Sequence, residues 1–351
     1  MAEPSAKENC IEDCEVLLGN SNNRFSGVTS TMLQTLEYQK REMNIRVLGA
    51  HNLNDTSLAI TFKDAALRLR IPLKSGKYRV FHARRNNEML QALILKHVFG
   101  VKLHIVFTST AQRHHSRFTK WLMSKMDKVI STCNAAANYL DMPPANIIPH
   151  GIQTTTYTPR SHTNNPCVRI GIFGRVRAQK GVHVLVDACI QVLPQLDNCE
   201  AIIVGAIKEE DKRFVDTQKV KINNANLNDR IQFLGEQDFA DIPGLFRSCD
   251  IVTALSMNEG FGLTVLEAMS SSCAVIATTA GAWPDIIREG VDGYIVPVDD
   301  VDAVAQRIQT LVTEPDLRTS MGKSGRAHIE SNYTIEKEAS ALCQIYRSMQ
   351  D

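Results

Sequence analysis

Two carboxylates eight residues apart bracket the stretch Glu259-Gly-Phe-Gly-Leu-Thr-Val-Leu-Glu267. Gly260 and Gly262 mark a turn, and an apolar run follows it. The strand-like Asp250-Ile-Val-Thr-Ala-Leu255 lies just before, so the order reads strand, loop, helix. Glu259 then falls in the loop and Glu267 about a turn and a half into the helix. At ~1.5 Å rise per helical residue plus the loop, they stand on the order of 10 Å apart. That is the span of a sugar nucleotide from hexose to ribose. Between them, the unpaired N–H groups of the helix start, around Phe261, Gly262, Leu263 and Thr264, suit a diphosphate. One element thus reaches sugar, phosphates and ribose. The plain alternative is two glutamates on an exposed helix.

A second phosphate signal is Gly174-Arg-Val-Arg-Ala-Gln-Lys-Gly181, after an apolar strand and before a helix starting near Val182. A departing diphosphate needs its growing charge neutralised. An arginine offers a bidentate fork and a lysine a point charge, and this string carries Arg175, Arg177 and Lys180. A surface basic loop is the alternative. The spacing Gly171-x-x-Gly174 is wrong for a dinucleotide fingerprint, and Gly19 to Gly27 does not fit one either, which weakens a nicotinamide-dependent oxidoreductase.

In the first half, Ser26-Gly27-Val28-Thr29 follows a strand and opens a helix. Its amides suit a donor phosphate or an acceptor, or Ser26 simply caps the helix. Thr108-Ser-Thr-Ala-Gln-Arg-His-His115 lies at a strand end, where α/β folds place ligands. His114 or His115 could bond a sugar hydroxyl, form half of a metal site, or lie exposed. His82-Ala-Arg-Arg-Asn-Asn-Glu88 also follows a strand. Arg84 and Arg85, with Arg113 and Arg117, form a candidate cationic pocket for an acceptor carboxylate or phosphate. Two arginines at a helix start oppose the macrodipole, which favours function over plain surface.

These loops need elements to position them. Short apolar strands alternate with helical patterns, as in parallel α/β architecture. In the first half strands are expected at 15–19, 45–49, 78–82, 103–108 and 128–132, with helices at 28–41, 87–99 and 116–126. Leu67-Arg-Leu-Arg-Ile71 alternates like a further strand. Residues 152–166, rich in Thr, Ser, Asn and Pro, read as an inter-domain linker. The pattern restarts with strands at 168–173, 201–204, 231–234, 250–255, 274–277 and 293–296. An amphipathic helix covers 334–349. The organisation expected is therefore a disordered leader (1–13), a first domain (14–151), the linker (152–166), a second domain (167–333) and a terminal helix (334–351).

The chain has 351 residues, 44% hydrophobic and 22% charged, ordinary values for two soluble domains. No run reaches the roughly eighteen apolar residues of a membrane span, and the polar start lacks a secretory h-region. Nine cysteines without a Cys-x-x-Cys make structural disulfides unexpected and a reducing cytoplasm the expected location. Net charge is +1, yet residues 74–128 hold 12 Lys and Arg against 2 acids. That block suggests an anionic partner, such as a phosphorylated lipid or membrane surface, or else a solvated surface. It carries no recognised nucleic-acid motif.

The string from Glu259 to Glu267, with Ala268-Met269 after it, resembles the retaining glycosyltransferases of the Glu-x7-Glu family (family 4). The resemblance implies a GT-B fold, two facing Rossmann-like domains with a central cleft, whose terminal helix returns to the first domain. Phe81-His-Ala-Arg-Arg-Asn-Asn-Glu-Met-Leu90, Val106 to His115 and Pro149-His-Gly151 look more narrowly like α-proteobacterial lipopolysaccharide core mannosyltransferases. That implies transfer of mannose from GDP-mannose to Kdo on a lipid A precursor, at the cytoplasmic face of the inner membrane. Within it, Glu259 binds hexose hydroxyls, Glu267 the ribose, and Arg175 and Lys180 the diphosphate. Gly27 and Gly174 approach the donor, and His115 or His114 the transferred sugar. Where the family has two adjacent glycines, this chain has Ser26 and Gly27. No cofactor beyond the nucleotide sugar and no metal are implied. Asp300-Val-Asp302 reads as a helix cap and a first-turn acid. A related transferase using UDP-glucose or another donor, and a non-catalytic polyanion- or lipid-binding scaffold, are the competing expectations.

Overall fold

A computed structural model describes residues 11–23, 27–159 and 167–350. The chain divides into two compact units, residues 1–150 with 335–351 and residues 151–334.

Unit 1 holds the strands β1 (Val16–Gly19), β2 (Ile45–Leu48), β3 (Ala59–Ile60), β4 (Arg79–Ala83), β5 (Leu103–Ser109) and β6 (Lys128–Ser131). They form one parallel sheet in the order β3-β2-β1-β4-β5-β6. Successive side chains of a strand point to opposite faces, so each strand feeds two cores. Leu17, Phe81, Ile105 and Phe107 pack with Met89, Leu95 and Leu122 on one face. Val16, Leu18, Val80 and Val106 pack with Met32, Leu36, Leu342 and Tyr346 on the other. The helix Ile335–Gln350 thus covers part of this sheet together with the helix Gly27–Gln39.

Unit 2 holds β7 (Val168–Phe173), β8 (Cys199–Val204), β9 (Ile231–Gly235), β10 (Ile251–Ala254), β11 (Ala274–Thr278) and β12 (Gly293–Val296). Their order, β12-β11-β10-β7-β8-β9, is the same succession as in unit 1. Each sheet reverses its winding beside its first strand, between β1 and β4 and between β7 and β10. Loops leaving the carboxyl ends there diverge and open a crevice.

Three sequence expectations change. Leu67 to Ile71 is no strand. The helix Phe62–Arg68 occupies its first half, capped by Thr61, whose hydroxyl accepts from Asp64 N at 3.1 Å. Leu69 is 1% exposed while Leu67 and Ile71 are 56% exposed, so the apparent alternation faces no sheet. The sixth strand is instead the two-residue β3. Ile11–Asp13, assigned to a disordered leader, form a 3-10 turn. There Glu12 pairs with Arg68 at 2.7 Å, and its carbonyl accepts from Arg79 at 2.6 Å. Residues 1–10 lie outside the described residues. In the expected linker, Ile152 and Tyr157 are buried and pack within unit 2, because a loose tether would leave both in water. Residues 160–166 of it are not among the described residues.

His82 on β4 ties the layers of unit 1 together. Its ring nitrogens lie 2.6 Å from the Tyr346 hydroxyl and 2.6 Å from Thr108 Oγ1. Burial holds its pKa well below the ordinary 6.5, so the imidazole is neutral. The unfolded chain therefore binds more protons below pH 6.5, and the stability this histidine contributes is lost as pH falls under that value. Tyr346→Phe leaves a buried ring nitrogen unpaired and should cost about 1–3 kcal/mol in chemical denaturation at neutral pH. An unchanged midpoint would show that the relay contributes nothing.

Candidate functional site

The crevice of unit 2 is built by backbone contact. Gly174 N donates to the Val204 carbonyl at 2.9 Å. Gly205, at φ +148°, lies so near that a Cβ on it would stand 1.9 Å from the Gly174 oxygen. Gly181 ends a 3-10 turn, Ala178–Lys180, in the left-handed region at φ +72°, and a Cβ there would stand 2.1 Å from the Leu255 oxygen. The loop after β7 is thereby laid on the loop after β10. Met257 N donates to the Gln179 carbonyl at 2.9 Å, and Gln179 Nε2 to the Asn258 carbonyl at 2.6 Å. Lys180 Nζ then meets Glu259 Oε2 at 2.5 Å, and Ser256 Oγ donates to the same oxygen at 3.1 Å. Arg175, at the same strand end, is half-buried with no partner among the described residues.

Beyond Glu259 the chain turns through Gly262 at φ +86°, where a Cβ would stand 2.4 Å from Trp283 Nε1. That indole donates to the Gly262 carbonyl at 2.9 Å, and Ala282 N to the Phe261 carbonyl at 3.0 Å. Trp283 is 1% exposed, so the turn is fixed against the core. The helix Thr264–Ser270 starts directly after, with Leu263 at its cap position and no side-chain cap. Lys180, Ser256, Glu259, Thr264 and Trp283 line one small cleft at the ends of β7 and β10. Sequence analysis thus named residues that the structure gathers here: Glu259, Lys180, Gly262, Leu263 and Thr264. Asp300 is indeed an N-cap, accepting from Ala303 N at 2.9 Å, and Asp302 accepts from Gln191 at 3.1 Å.

Glu267 stands in the first helical turn rather than a turn and a half in, because the helix begins at Thr264. It has a partner that sequence reading missed. Tyr157 OH donates to Glu267 Oε1 at 2.9 Å. Tyr157 is itself anchored, its carbonyl accepting from Ser270 Oγ at 2.9 Å and from Arg326 at 2.5 Å. Its ring stands edge-on to Phe246, which stacks on Phe173 at the end of β7. The one signal in the sequence was an aromatic residue in an otherwise polar stretch. Burial pushes the Glu267 carboxyl up to about 7, against the Tyr157 hydrogen bond, which lowers it.

In unit 1 the loops after β1, β4 and β5 carry the remaining candidates. Glu88, with a fully buried side chain, organises them. It accepts from Arg84 N at 2.7 Å, Arg85 Nη1 at 2.9 Å and Ser21 Oγ at 3.3 Å. Its stem fills the space over Gly19, where a Cβ would stand 2.8 Å away. Arg85 Nη2 donates to Thr29 Oγ1 at 2.9 Å. Its fork thereby joins the start of the helix Gly27–Gln39 to the first turn of the helix Asn86–His97. Glu88 in the first helical turn also offsets the two arginines at that helix start. Arg84 differs: its Nη1 is a buried donor with no partner among the described residues, and so is Gln112 Nε2 in the loop after β5. Gln112 was not singled out by sequence.

His115 Nε2 lies 3.2 Å from Ser109 Oγ at the end of β5. Burial, then the charges of Arg113 and Lys120, lower its pKa and favour the neutral ring. His114 is exposed, edge-on to Tyr139. Arg113 and Arg117 are exposed. Gly27 opens its helix with empty space where a Cβ would be, and Ser26 lies outside the described residues. Among the described residues the eight cysteines are free, no cluster suits a metal ion, and no helix is long and apolar enough to cross a membrane.

Because its folded-state pKa is raised, Glu267 contributes stability present below the ordinary carboxyl value of 4.5 and lost as pH rises through about 7. Glu267→Gln keeps a group for Tyr157 but removes that titration. Its stability relative to the native chain should rise between about pH 5 and pH 8 by something on the order of 2–3 kcal/mol. A difference that stays flat across this range would mean the carboxyl is not shifted.

Comparison with known proteins agrees with this geometry. Residues 160–328 match the family Glycosyl transferases group 1. The chain is 36% identical to the lipopolysaccharide core biosynthesis mannosyltransferase LpcC of Rhizobium leguminosarum bv. viciae over 97% of each chain. It is also 36% identical to LpsB of Rhizobium meliloti, which carries the same description, over 97% of this chain and 99% of that one. Among solved structures, Anabaena HepE in complex with UDP matches with a TM-score of 0.81 over 95% of this chain and 100% of that one. At 18% identity, that match bears on the fold. With two Rossmann-like units of one strand order and relatives matching along nearly its whole length, the chain is a glycosyltransferase of the GT-B fold and belongs to the group 1 glycosyltransferases.

Proposed function

We propose that the enzyme transfers mannose from GDP-mannose, with retention of configuration, to Kdo of a lipid A precursor in lipopolysaccharide core assembly. The observation that carries this reading is the 2.5 Å pair of Lys180 and Glu259 at the mouth of β7 and β10. A carboxylate suited to sugar hydroxyls and an ammonium suited to phosphate stand side by side, as the two sides of a glycosyl phosphate bond require. Support for mannose and for the lipopolysaccharide core comes from the two rhizobial mannosyltransferases, similar along almost the whole chain. Support for an anionic acceptor comes from Arg84 Nη1 and Gln112 Nε2 at the ends of neighbouring strands, buried donors with no partner among the described residues.

In this mechanism Glu259 accepts hydrogen bonds from the hexose hydroxyls and Glu267 from the ribose. The backbone from Phe261 to Thr264 holds the diphosphate. The bond between the anomeric carbon and the phosphate oxygen breaks while the acceptor oxygen bonds to that carbon on the same face. The acceptor proton passes to the departing diphosphate oxygen, whose charge Arg175 and Lys180 neutralise. His115, neutral and oriented by Ser109, bonds a hydroxyl of the transferred sugar.

Transfer from GDP-mannose, UDP-glucose and UDP-galactose to a Kdo-bearing lipid A precursor, read by product mass, tests the reading. One hexose added from GDP-mannose alone is expected. Glu259→Ala should lower the rate by about 10²–10³-fold or more. Product from the UDP-sugars alone, or a native rate in Glu259→Ala, contradicts it. Ribose hydroxyls favour the charged form of Glu267, so GDP affinity should rise from about pH 6 to about pH 8 and stay level in Glu267→Gln. A pH-independent affinity in the native enzyme would remove Glu267 from the ribose.

A further inference from the structure

The helix Arg117–Met123 in unit 1 turns Thr119 and Leu122 into the core and shows water an unusual face. Phe118 and Trp121 are 54% and 51% exposed and stack with ring centroids 6.1 Å apart. Burying both would gain several kcal/mol, so leaving them in water marks a contact surface. Beside them, between this helix, the turn into β6 and residues 139–145, lies a groove of about 410 Å³. Met123, Met126, Leu140, Met142 and Pro143 form its apolar lining, and Met142 is 75% exposed. Unbranched thioether side chains adapt to a flexible hydrocarbon rather than to one rigid shape.

The charge around this face has one sign. Residues 113–145 contain five basic side chains and two acids. Asp127 is held by Lys96 at 2.8 Å and by Ile105 N at 2.7 Å, and Asp141 by Lys120 at 2.6 Å. Both acids are thus neutralised, while Arg117 and Lys125 are exposed with no carboxylate partner among the described residues. A second copy of the chain would bring like charges together in a two-fold contact. A nucleic acid would have no use for an apolar groove. Aromatic rings, basic side chains and a hydrocarbon-sized groove together match the boundary of an anionic bilayer, where Trp settles and Lys and Arg are drawn to the headgroups.

We infer that the outer face of the helix Arg117–Met123 and the methionine-lined groove beside it form the docking surface for an anionic lipid bilayer, with one acyl chain seated in the groove. Phe118 and Trp121 enter the interface, and Arg117 and Lys125 meet the headgroups. The inference rests on the glycolipid-acceptor reading. The helix follows His115 by two residues, so docking it brings the loop after β5 to the membrane surface where such an acceptor lies.

The chain contains two tryptophans, and the other, Trp283, is 1% exposed, so emission changes on binding report Trp121. With vesicles of phosphatidylcholine and phosphatidylglycerol, the emission should shift to the blue. Trp121→Phe should bind with no shift. Phe118→Ala/Trp121→Ala should bind about 10- to 100-fold more weakly, and Met142→Glu about tenfold more weakly. Transfer to a deacylated, water-soluble Kdo acceptor should be unchanged in all of them. Native vesicle affinity in the double variant, or Trp121 as open to acrylamide on vesicles as in solution, overturns the inference. So does self-association, seen by sedimentation, that the double variant abolishes. Failure of the acceptor reading shows separately, as no transfer by the native enzyme to the soluble acceptor.

Discussion

Lys180 and Glu259 meet because the backbones beneath them touch. Gly181 rests on the Leu255 carbonyl and Gly205 on that of Gly174, at distances no side chain tolerates. A methyl group at Gly181 would pry the loop after β7 from the loop after β10 and part the ion pair, while one at Gly205 would push the loop after β8 away from Gly174. Everything else in the crevice hangs on that contact. Gln179 joins the two loops only because they lie in register, and Trp283 fixes the start of the next helix through Gly262. The pair is partly withdrawn from water, with side-chain exposures of 24% and 21%. A ligand offering both an anion and hydroxyls therefore exchanges partners with it instead of desolvating bare charges.

The two units share one strand order yet reach their sites in different conditions. In unit 2 Lys180 and Glu259 are paired with each other and Glu267 with Tyr157 before any ligand arrives, while Arg175 has no partner among the described residues. In unit 1 the buried Glu88 spends its oxygens on Arg84 N, Arg85 and Ser21, which sets the loops, while Arg84 Nη1 and Gln112 Nε2 have no acceptor among the described residues. A buried donor without a partner costs free energy until an acceptor comes. The ends of β4 and β5 thus hold donors suited to the anionic acceptor proposed above.

Much of this was legible in the residues, and the reasons are specific. A parallel strand buried on both faces is a short, continuous apolar run, so Val168–Phe173 and Gly293–Val296 could be read to the residue. Loops at strand ends carry the polar and glycine-rich strings, so Lys180 and Glu259 stood out. Three things were hidden. Leu67 to Ile71 alternates in sequence, but Thr61 caps a helix ahead of it, and a local cap outweighs a short period. Arg85 looks like a ligand-binding arginine, but a carboxylate three residues later claims it. Tyr157 sits in a stretch with linker composition, and only its hydrogen bonds with Glu267 and Ser270 reveal that it is held against their helix. The first two turn on pairings three residues apart, Thr61 with Asp64 and Arg85 with Glu88, and the third on a contact between residues 110 apart, which no local pattern encodes.

The helix Ile335–Gln350 has a further consequence. It packs on the sheet whose strands are the first to be made, yet it leaves the ribosome only after all of unit 2. Until then Val16, Leu18, Val80 and Val106 lack part of their cover, and His82 has no Tyr346. Unit 2 ends at residue 334, so its last element is made before the helix that completes unit 1. Until that helix arrives, the nascent unit 1 keeps an apolar face only partly covered, the kind of surface through which incomplete domains aggregate.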